Sequence, residues 1–496
     1  MPVNDYTFCV GHRLYPKKRW NKRFLSLAVT SLVLAGCSAP SKMTMQADDA
    51  APKQWVSQPE SLPEQQATPL ENWLDQLESP ALKTLIEEGV KQSPTLKAAK
   101  AELDQSYYSL IGARADRFPL VSLSLSGDRP ESSDSSVSLS TSISWNPDIW
   151  GALSAAQKKA QLDYASAEAT YRYERLTLIQ SIANAWFDLS EAQMLLDLYQ
   201  KQASNLESDL KTIEEGYRLG LYEALDLYLA KNDVNAQLAQ VKQSEQSVLE
   251  AKRELEQLVG RYPEGALAGG SDLPVLPALS INTLPAQVIS ERPDLNAAWL
   301  NVLSADQSLA VAYRNRFPSF QLTGRYGGSS DSLSSVVDSG VMAWTLGASL
   351  AYTVFDAGNL KAQQQSAESN RVALENNYLN DVFGAFKEVE NALSAQETLN
   401  HQYALYEAAK ENALQAEDLS FEQYQRGLEE YTTVLEAQRR SISSQTNLIS
   451  VKKSLLQNRI NLAVALGATP ELFEEAYPDM NSSTVETSLQ EGTEQP

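Results

Sequence analysis

Residues 121–145, VSLSLSGDRPESSDSSVSLSTSISW, decide the fold class of this chain. Apolar residues alternate with serine on both sides of a polar turn that contains Asp128, Arg129 and Pro130. A period of two places the apolar side chains of a strand on one face and the serines on the other. The stretch therefore predicts a β-hairpin, with strands at about 120–127 and 137–146.

A second hairpin with the same period is predicted further along the chain. Its apolar residues include Phe320 and Tyr326, and its strands are expected at about 319–327 and 342–355. Alternating strands of about ten residues with aromatic residues near their ends are typical of transmembrane β-strands. The alternative is a half-buried hairpin on a soluble core, although long helical runs flank each hairpin and no further strands do.

Two long intervals lack proline: 115 residues follow Pro147 and 151 residues follow Pro318. Proline costs about 3 kcal/mol inside a helix, so these intervals favour long helices. The first is predicted to hold a helix from residue 152 to about 215, which is roughly 96 Å long, and a second run over 221–259. Part of the longer run has apolar residues spaced by alternating three and four positions, as in coiled coils. They are Leu196, Tyr199, Ala203, Leu206, Leu210, Ile213 and Tyr217.

The chain is a tandem duplication of a unit of about 200 residues. Arg117-Phe118-Pro119 recurs 199 positions later as Arg316-Phe317-Pro318. Further on the offset is 207, and Tyr217-x-x-Gly220-Leu221 corresponds to Tyr424-x-x-Gly427-Leu428. Eight residues are therefore added within the second hairpin region. Each copy supplies one hairpin and one pair of long helices.

The first 36 residues are typical of a secretory signal peptide, because a basic segment precedes an apolar run of 13 residues. The following Leu34-Ala35-Gly36-Cys37 resembles the lipobox of bacterial lipoproteins. That resemblance implies removal of residues 1–36 and acylation of Cys37, with palmitate among the acyl groups. Ser38, a residue other than Asp, implies sorting to the outer membrane. The alternative is an ordinary signal peptide followed by a chance cysteine.

The composition argues against most catalytic and binding classes. The chain has 63 acidic and 41 basic residues, a formal charge of −22, and loss of residues 1–36 would leave 460 residues with −27. Such a charge disfavours a nucleic-acid surface. The exported chain would keep one histidine, His401, and one cysteine, Cys37, which are too few for a zinc site. We expect no enzymatic activity, no cofactor and no metal site.

The number of predicted strands has a consequence for assembly. Four strands cannot close a barrel, which needs about eight or more. Open edges in lipid would leave backbone groups without hydrogen bonds. If the strands cross a membrane, the chain must oligomerise, and a trimer with twelve strands is the simplest assembly.

The ordered set of motifs resembles the TolC-like outer membrane efflux proteins, in particular the lipid-anchored NodT and OprM-type branch. The set includes Arg292-Pro293-Asp294-Leu295, Phe355-Asp356-Ala357-Gly358, the two Arg-Phe-Pro elements and the two Tyr-x-x-Gly-Leu turns. The resemblance implies a mainly α fold with a β-barrel. In a homotrimer, a 12-stranded outer membrane barrel would continue into a long periplasmic α-helical barrel.

The same resemblance implies partners and a domain order. The expected partners are outer membrane lipid, a periplasmic adaptor (membrane fusion) protein and an inner-membrane pump of the resistance-nodulation-division type. The expected segments are the signal peptide (1–36), an acylated terminus and extended tether (37–71), the first repeat (72–260), a linker (261–284), the second repeat (285–468) and an acidic tail (469–496).

The resemblance also assigns the turns between the long helices to a periplasmic tip that adaptors contact. The candidate contact residues are Arg218, Leu219, Gly220, Leu221, Arg426, Gly427 and Leu428. A simpler reading is that the glycines only close helix–helix turns.

Three further residues are candidates for the aperture at this tip. Asp226 and Glu436 match positions where relatives carry acids, and Tyr424 matches a tyrosine that holds the aperture closed, with Asp226 as its expected hydrogen-bond partner. Thr433 and Glu429 depart from the residues of some relatives, which implies an altered closed state. Solvated acids on exposed helices are the alternative.

The implied function is a passive exit duct for drugs or other toxic small molecules in a tripartite efflux system. An outer membrane duct of a type I protein secretion system has the same sequence features, and so does a periplasmic coiled-coil structural lipoprotein.

Overall fold

The structure is a computed structural model that describes residues 51–57, 73–74, 77, 79–129, 131, 134–270, 272–274, 285–336, 340 and 342–468. These residues belong to one compact unit, Gln46–Pro496. The predicted signal peptide (1–36), Cys37 and the acidic tail (469–496) lie outside the described residues, as do parts of the predicted tether and linker.

The described part of the chain contains eight α-helices and four β-strands. The helices are α1 (Pro80–Gln92), α2 (Pro94–Ala115), α3 (Ala152–Arg218), α4 (Ala224–Leu258), α5 (Pro285–Glu291), α6 (Pro293–Arg314), α7 (Asn359–Gln425) and α8 (Tyr431–Ala465). The strands are β1 (Leu120–Asp128), β2 (Ser136–Trp145), β3 (Ser319–Ser330) and β4 (Ala343–Ala351). None of these helices is both long enough and apolar enough to cross a membrane.

Three helices of the first copy match helices of the second copy in length. The helices α2 and α6 both have 22 residues, α3 and α7 both have 67, and α4 and α8 both have 35. Both long helices begin after a glycine in the left-handed region, Gly151 with φ of 79° and Gly358 with φ of 91°. Glycine reaches this region without the steric cost that other residues have, so it fixes where each long helix begins.

The helix α3 lies at the centre of the helical part, where it packs against α2, α4, α6 and α8. The coiled-coil row predicted on it is buried along most of its length, and Tyr217 in the last turn is an exception at 45% exposure. The fully buried members of the row are Leu196, Ala203, Leu206 and Ile213. The row therefore serves helix packing, as its spacing predicts.

The four strands form one antiparallel sheet in the order β1-β2-β3-β4. Across the sheet Val121 pairs with Ile143, Ile143 with Gly324, and Gly324 with Leu346. Paired residues share a face, so the apolar rows of both hairpins lie on one side of the sheet. This side is open, and Leu346 is 76% exposed.

The strand ends differ from the predicted ones. The strand β4 ends at Ala351, four residues before the predicted 355, because its last partner is Ser319 and the preceding Pro318 has no N–H to continue the ladder. The strand β3 extends beyond 327 to Ser330, since Ser330 pairs with Val137 of β2.

Serines on the opposite side of the sheet bond to one another across β1 and β2. The hydroxyl oxygens are 2.8 Å apart in Ser122 and Ser142, 3.0 Å apart in Ser124 and Ser140, and 3.0 Å apart in Ser126 and Ser138. One face of the first hairpin is thus apolar, and the other is a ladder of hydroxyl groups.

The predicted extended tether is partly folded. Within residues 51–57, Trp55 is buried at 4% exposure and meets the Phe386 ring of α7 edge-on at 5.9 Å. The next two backbone N–H groups, of Val56 and Ser57, donate to the Glu390 carboxylate at 2.8 and 2.9 Å. The tryptophan accounts for the difference, because burying a large aromatic ring outweighs the entropy of a short segment.

Candidate functional site

The two turns between the long helices have the same backbone geometry. In the first, the N–H of Leu221 donates to the carbonyl of Gly216 at 2.8 Å, and Gly220 has a φ of 71°. In the second, Leu428 donates to Gln423 at 3.0 Å, and Gly427 has a φ of 69°. Both are Schellman-type ends, which satisfy the last helix carbonyls. The predicted turn-closing role of these glycines is present in the structure.

A cluster of aromatic rings joins the two turns. The Tyr222 ring of the first turn stacks on the Tyr424 ring of the second, with centroids 4.9 Å apart. The ring of Tyr431, the first residue of α8, lies 5.3 Å from that of Tyr424. Gly216 leaves room for Tyr222, since a Cβ atom at this position would overlap the tyrosine ring. The cluster is sealed by the apolar side chains of Ile213 and neighbouring residues.

The hydroxyl of Tyr424 donates to Oδ2 of Asp226 at 3.0 Å. Asp226 lies in the first turn of α4, where a carboxylate is favoured by the helix dipole. Burial and this carboxylate raise the pKa of Tyr424 far above its usual value, so the phenol stays a donor at any physiological pH. The hydrogen bond expected between the two residues is thus present, and it connects the two copies of the duplication.

The third aperture candidate does not belong to this cluster. Glu436 is exposed on α8 and pairs with Arg440 of its own helix at 2.8 Å. It lines an open groove of about 930 Å³ between α7 and α8. Nearer the turn, the hydroxyl of Thr433 donates to Glu429 at 3.2 Å. The two residues that depart from the family pattern therefore bond to each other.

A second contact between the copies lies further from the turns and was not predicted. Gln438 of α8 donates from Nε2 to Oδ2 of Asp209 in α3 at 2.8 Å. Burial raises the pKa of Asp209 to about 6, and the nearby Glu417 adds to this. Arg439 of α8 approaches Asp233 of α4 at 3.8 Å. No repeated motif marks these residues, because each occurs in one copy only.

The tip candidates are exposed. Leu219, Leu221 and Leu428 are 76%, 71% and 69% exposed, respectively. Arg218 is exposed as well, and Arg426 forms an ion pair with Glu422. Three large apolar side chains at two adjoining turns are an unusual surface for a polar helix end, and such a surface is suited to contact with another protein. No cluster of metal-ligating side chains occurs in the part of the chain that the structure describes.

An open sheet with one apolar face, combined with two matched pairs of long helices, is the fold of the TolC-like channel proteins. Among solved structures, the Campylobacter jejuni CmeC outer membrane channel superposes with a TM-score of 0.76 at 18% identity, over 92% of this chain and 97% of that one. The OprN outer-membrane channel also gives 0.76, at 22% identity, over 87% and 99%.

Comparison of the sequence with family profiles assigns the chain to one family within this class of channel proteins. The profile described as "Outer membrane efflux protein" matches residues 85–261 and 284–468. The chain belongs to the outer membrane efflux protein family and acts as an outer membrane duct.

Named relatives agree with this assignment over nearly their whole length. The toluene efflux pump outer membrane protein TtgC of Pseudomonas putida is 28% identical over 94% of this chain and 99% of its own. The probable outer membrane lipoprotein SilC of Salmonella typhimurium is 25% identical over 90% of this chain and 98% of its own.

Proposed function

We propose that the protein is a homotrimeric exit duct of a tripartite efflux system. The observation that carries the proposal is the four-stranded sheet, which has one apolar face and two edges, β1 and β4, without a partner strand in the described chain. Joining β4 of one copy to β1 of the next would pair these edges. Three copies would give twelve strands, a number that closes a barrel.

The helices would continue this duct into the periplasm. Each 67-residue helix is about 100 Å long at 1.5 Å per residue. Six helical hairpins would end together at the turns described above, because the two copies have helices of equal length. The Tyr424–Asp226 hydrogen bond would hold neighbouring hairpins in the closed arrangement. Three-fold symmetry would repeat Asp226 and Glu436 around one axis, where they would attract cations.

The exposed tip residues are proposed as the contact for a periplasmic adaptor. Leu219, Leu221 and Leu428 supply apolar area, and Arg218 and Arg426 flank them. An inner-membrane pump of the resistance-nodulation-division type would load the duct through this adaptor. The duct itself is passive.

The transported molecules are proposed to be small toxic compounds. The names of the relatives mention toluene, antibiotics and pyoverdine, which share little chemistry. Selection of cargo is then a property of the pump, and the duct needs only a wide polar path.

Cys37 is proposed as the lipid anchor of the mature chain. The lipobox-like junction in the sequence and the relative named as an outer membrane lipoprotein support it. Replacing Cys37 by Ser should abolish incorporation of labelled palmitate. Continued labelling of that variant would contradict the assignment.

Two measurements test the duct as a whole. Light scattering of the detergent-solubilised protein should give three times the protomer mass. In planar bilayers, the double change Asp226→Asn and Glu436→Gln should raise single-channel conductance or alter its blockade by divalent cations. A monomeric mass would refute the trimer. Currents of the double variant that equal those of the unchanged protein would refute the placement of Asp226 and Glu436 at the aperture.

A further inference from the structure

Arg117 and Arg316 occupy equivalent positions in the two copies and make the same contact. Each lies in the short turn between a 22-residue helix and the first strand of a hairpin. Nη1 of Arg117 donates to Oε1 of Gln157 at 2.7 Å, and Nη1 of Arg316 donates to Oε1 of Gln364 at 2.7 Å. The glutamines are themselves equivalent, 207 positions apart. The arrangement is thus built twice.

The hydrogen-bond partner in both cases is a neutral amide, so neither guanidinium group forms a salt bridge with it. Arg316 in addition lies over the ring of Tyr313, 6.0 Å from its centroid. Among the described residues, no carboxylate oxygen lies within 4.0 Å of either guanidinium group, and both side chains are exposed. The pKa of the nearby Asp148 is lowered although burial opposes this, because Ser154 and Leu153 at the start of α3 donate to its carboxylate and the charge of Arg117 contributes. The Asp148 carboxylate is held by these N–H groups and makes no ion pair with Arg117. In a chain with a formal charge of −22, two cations held in place by amides are a specific feature.

The surroundings are those of a membrane–water boundary. The indole N–H of Trp145 donates to the Arg117 carbonyl at 3.0 Å, and that of Trp150 donates to the Pro318 carbonyl at 2.7 Å. The Trp150 ring also stacks on Phe317 at 5.1 Å. Tryptophan rings with a bonded N–H are enriched at the level of lipid headgroups. Phe118 and Trp150 remain 62% and 46% exposed.

These observations place both arginines at the end of the apolar face of the sheet. Trp145 is in the same row of β2 as Ile143, which lies on that face. The arginines therefore lie just beyond the apolar row, on the side of the sheet from which the helices leave.

We propose that Arg117 and Arg316 each bind the phosphate of an anionic phospholipid in the leaflet nearest the helices. The inference rests on the proposed membrane position of the sheet. A guanidinium group suits the purpose, because its planar donors match two phosphate oxygens and its weak hydration tolerates a partly apolar site. Gln157 and Gln364 would orient the groups while leaving their other donors free. A trimer would carry six such sites.

The test uses the full-length protein in nanodiscs of phosphatidylcholine that contain a minor fraction of phosphatidylglycerol. Native mass spectrometry after mild release counts the phosphatidylglycerol retained by each protein. The unchanged protein should retain this lipid selectively. The pair Arg117→Gln and Arg316→Gln should retain it about fivefold less per site. The matched pair Arg129→Gln and Arg325→Gln removes the same charge just after β1 and within β3, away from the helix end of the sheet, and should have no effect.

Two further measurements distinguish phospholipid binding from binding of a free anion and from a folding defect. Inorganic phosphate should not displace the lipid; displacement would indicate a site for a free anion and overturn the proposal. The pair Arg117→Lys and Arg316→Lys keeps the charge and should lose less lipid than the glutamine pair. Lysine also lacks the guanidinium group that bonds to the glutamine, so better lipid retention in this pair would show that the loss in the glutamine pair is due to charge and not to misfolding. Equal lipid retention in the Arg117→Gln and Arg316→Gln pair and in the Arg129→Gln and Arg325→Gln control pair would also overturn the proposal. If the unchanged protein fails to enter the nanodiscs, the proposed membrane function itself fails.

Discussion

Single residues distinguish the two copies of the duplication where their turns meet. Tyr424 is 4% exposed, whereas its equivalent in the first copy, Tyr217, is 45% exposed. Asp226 of the first copy corresponds to Thr433 of the second. The donor of the Tyr424–Asp226 hydrogen bond thus comes from one copy and its acceptor from the other. The two equivalent turns are therefore complementary at these positions, although their backbones have the same geometry.

Replacing Tyr424 by Phe should weaken the closed arrangement. The change keeps the stacked ring and removes one hydrogen bond to a charged group, which contributes about 1.5–3 kcal/mol. We expect a larger open fraction in planar-bilayer recordings. Tyr217→Phe is the control, because it removes the same hydroxyl from the exposed equivalent position. Equal gating in the two variants would argue against a latch at Asp226.

Asp209 should make stability depend on pH. Its pKa is raised to about 6 by burial, against about 3.9 in an unfolded chain. Between these values the folded protein binds more protons than the unfolded chain, so stability falls as pH rises from about 4 to about 6.

Asp209→Asn should therefore stabilise the protein at pH 7.5 by about 1 kcal/mol and have no such effect at pH 4. Thermal unfolding at both pH values measures this. Asp197→Asn is a suitable comparison, since Asp197 is exposed on the same helix and also accepts from a glutamine, Gln193, at 3.2 Å. If both variants are more stable than the unchanged protein at pH 7.5, burial of Asp209 is not the cause of the gain.

At the level of elements, periodicity and proline spacing predict most of what the structure contains. The long helices follow from intervals without proline, and the strands follow from alternation with serine. The end of β4 could not be predicted in this way, because Tyr352 and Val354 continue the apolar row although pairing stops at Ala351. Strand ends depend on the partner strand, which a pattern within one strand does not contain.

The candidate site was predictable to a similar extent. Tyr424 and Asp226 lie at fixed distances from the repeated glycines, so a family resemblance could pair them. Tyr222 and Tyr431 have no counterparts of the same type in the other copy, where Glu429 and Ala224 stand. The Tyr222 ring stacks on the Tyr424 ring about 200 residues further along the chain, a contact that local sequence does not encode. Tyr431 is close to Tyr424 in sequence, and its tilted ring contact depends on how the second turn folds.

The two faces of the sheet should respond differently to charge. Leu123→Lys places an ammonium group on the apolar face and should destabilise the membrane-inserted protein by about 2–4 kcal/mol. Ser122→Lys, one residue earlier and on the hydroxyl face, should cost less than about 1 kcal/mol. Urea unfolding from lipid vesicles measures both. A reversed order would mean that the apolar face does not contact lipid.

At the scale of the whole molecule, one buried arginine connects the start of the second copy to its long helices. Arg292 is 5% exposed and donates to both carboxylate oxygens of Asp294 at 3.0 and 2.7 Å. It also donates to Glu388 of α7 at 2.8 Å and to the carbonyl of Ala465 at the end of α8 at 3.2 Å. Three elements of the second copy therefore depend on one side chain.

Arg292→Met should lower stability by about 2–3 kcal/mol, because several charge-assisted hydrogen bonds are lost from a buried position. The exposed pair Arg261–Glu88 has the same two-bond geometry, and Arg261→Met should cost less than about 1 kcal/mol. Unfolding temperatures at one fixed scan rate compare the two variants. If Arg261→Met is as damaging as Arg292→Met, burial is not what makes Arg292 important.

The ladder of serine hydroxyls has a consequence for permeation. Serine and glycine are short, so the face that carries Ser122, Ser142 and Gly327 leaves the space in front of it unobstructed. The serine hydroxyls of β1 and β2 bond to each other across the strands, so they offer a passing molecule neither a charge nor a strongly apolar patch. The charged side chains on the same face are Asp128 and Arg325, which lie in the rows of Ser136 and Ser142. A neutral solute would therefore meet short hydroxyl side chains along most of β1 and β2. Passage along this stretch of the sheet would then depend on the rate at which solute is supplied rather than on binding to the wall.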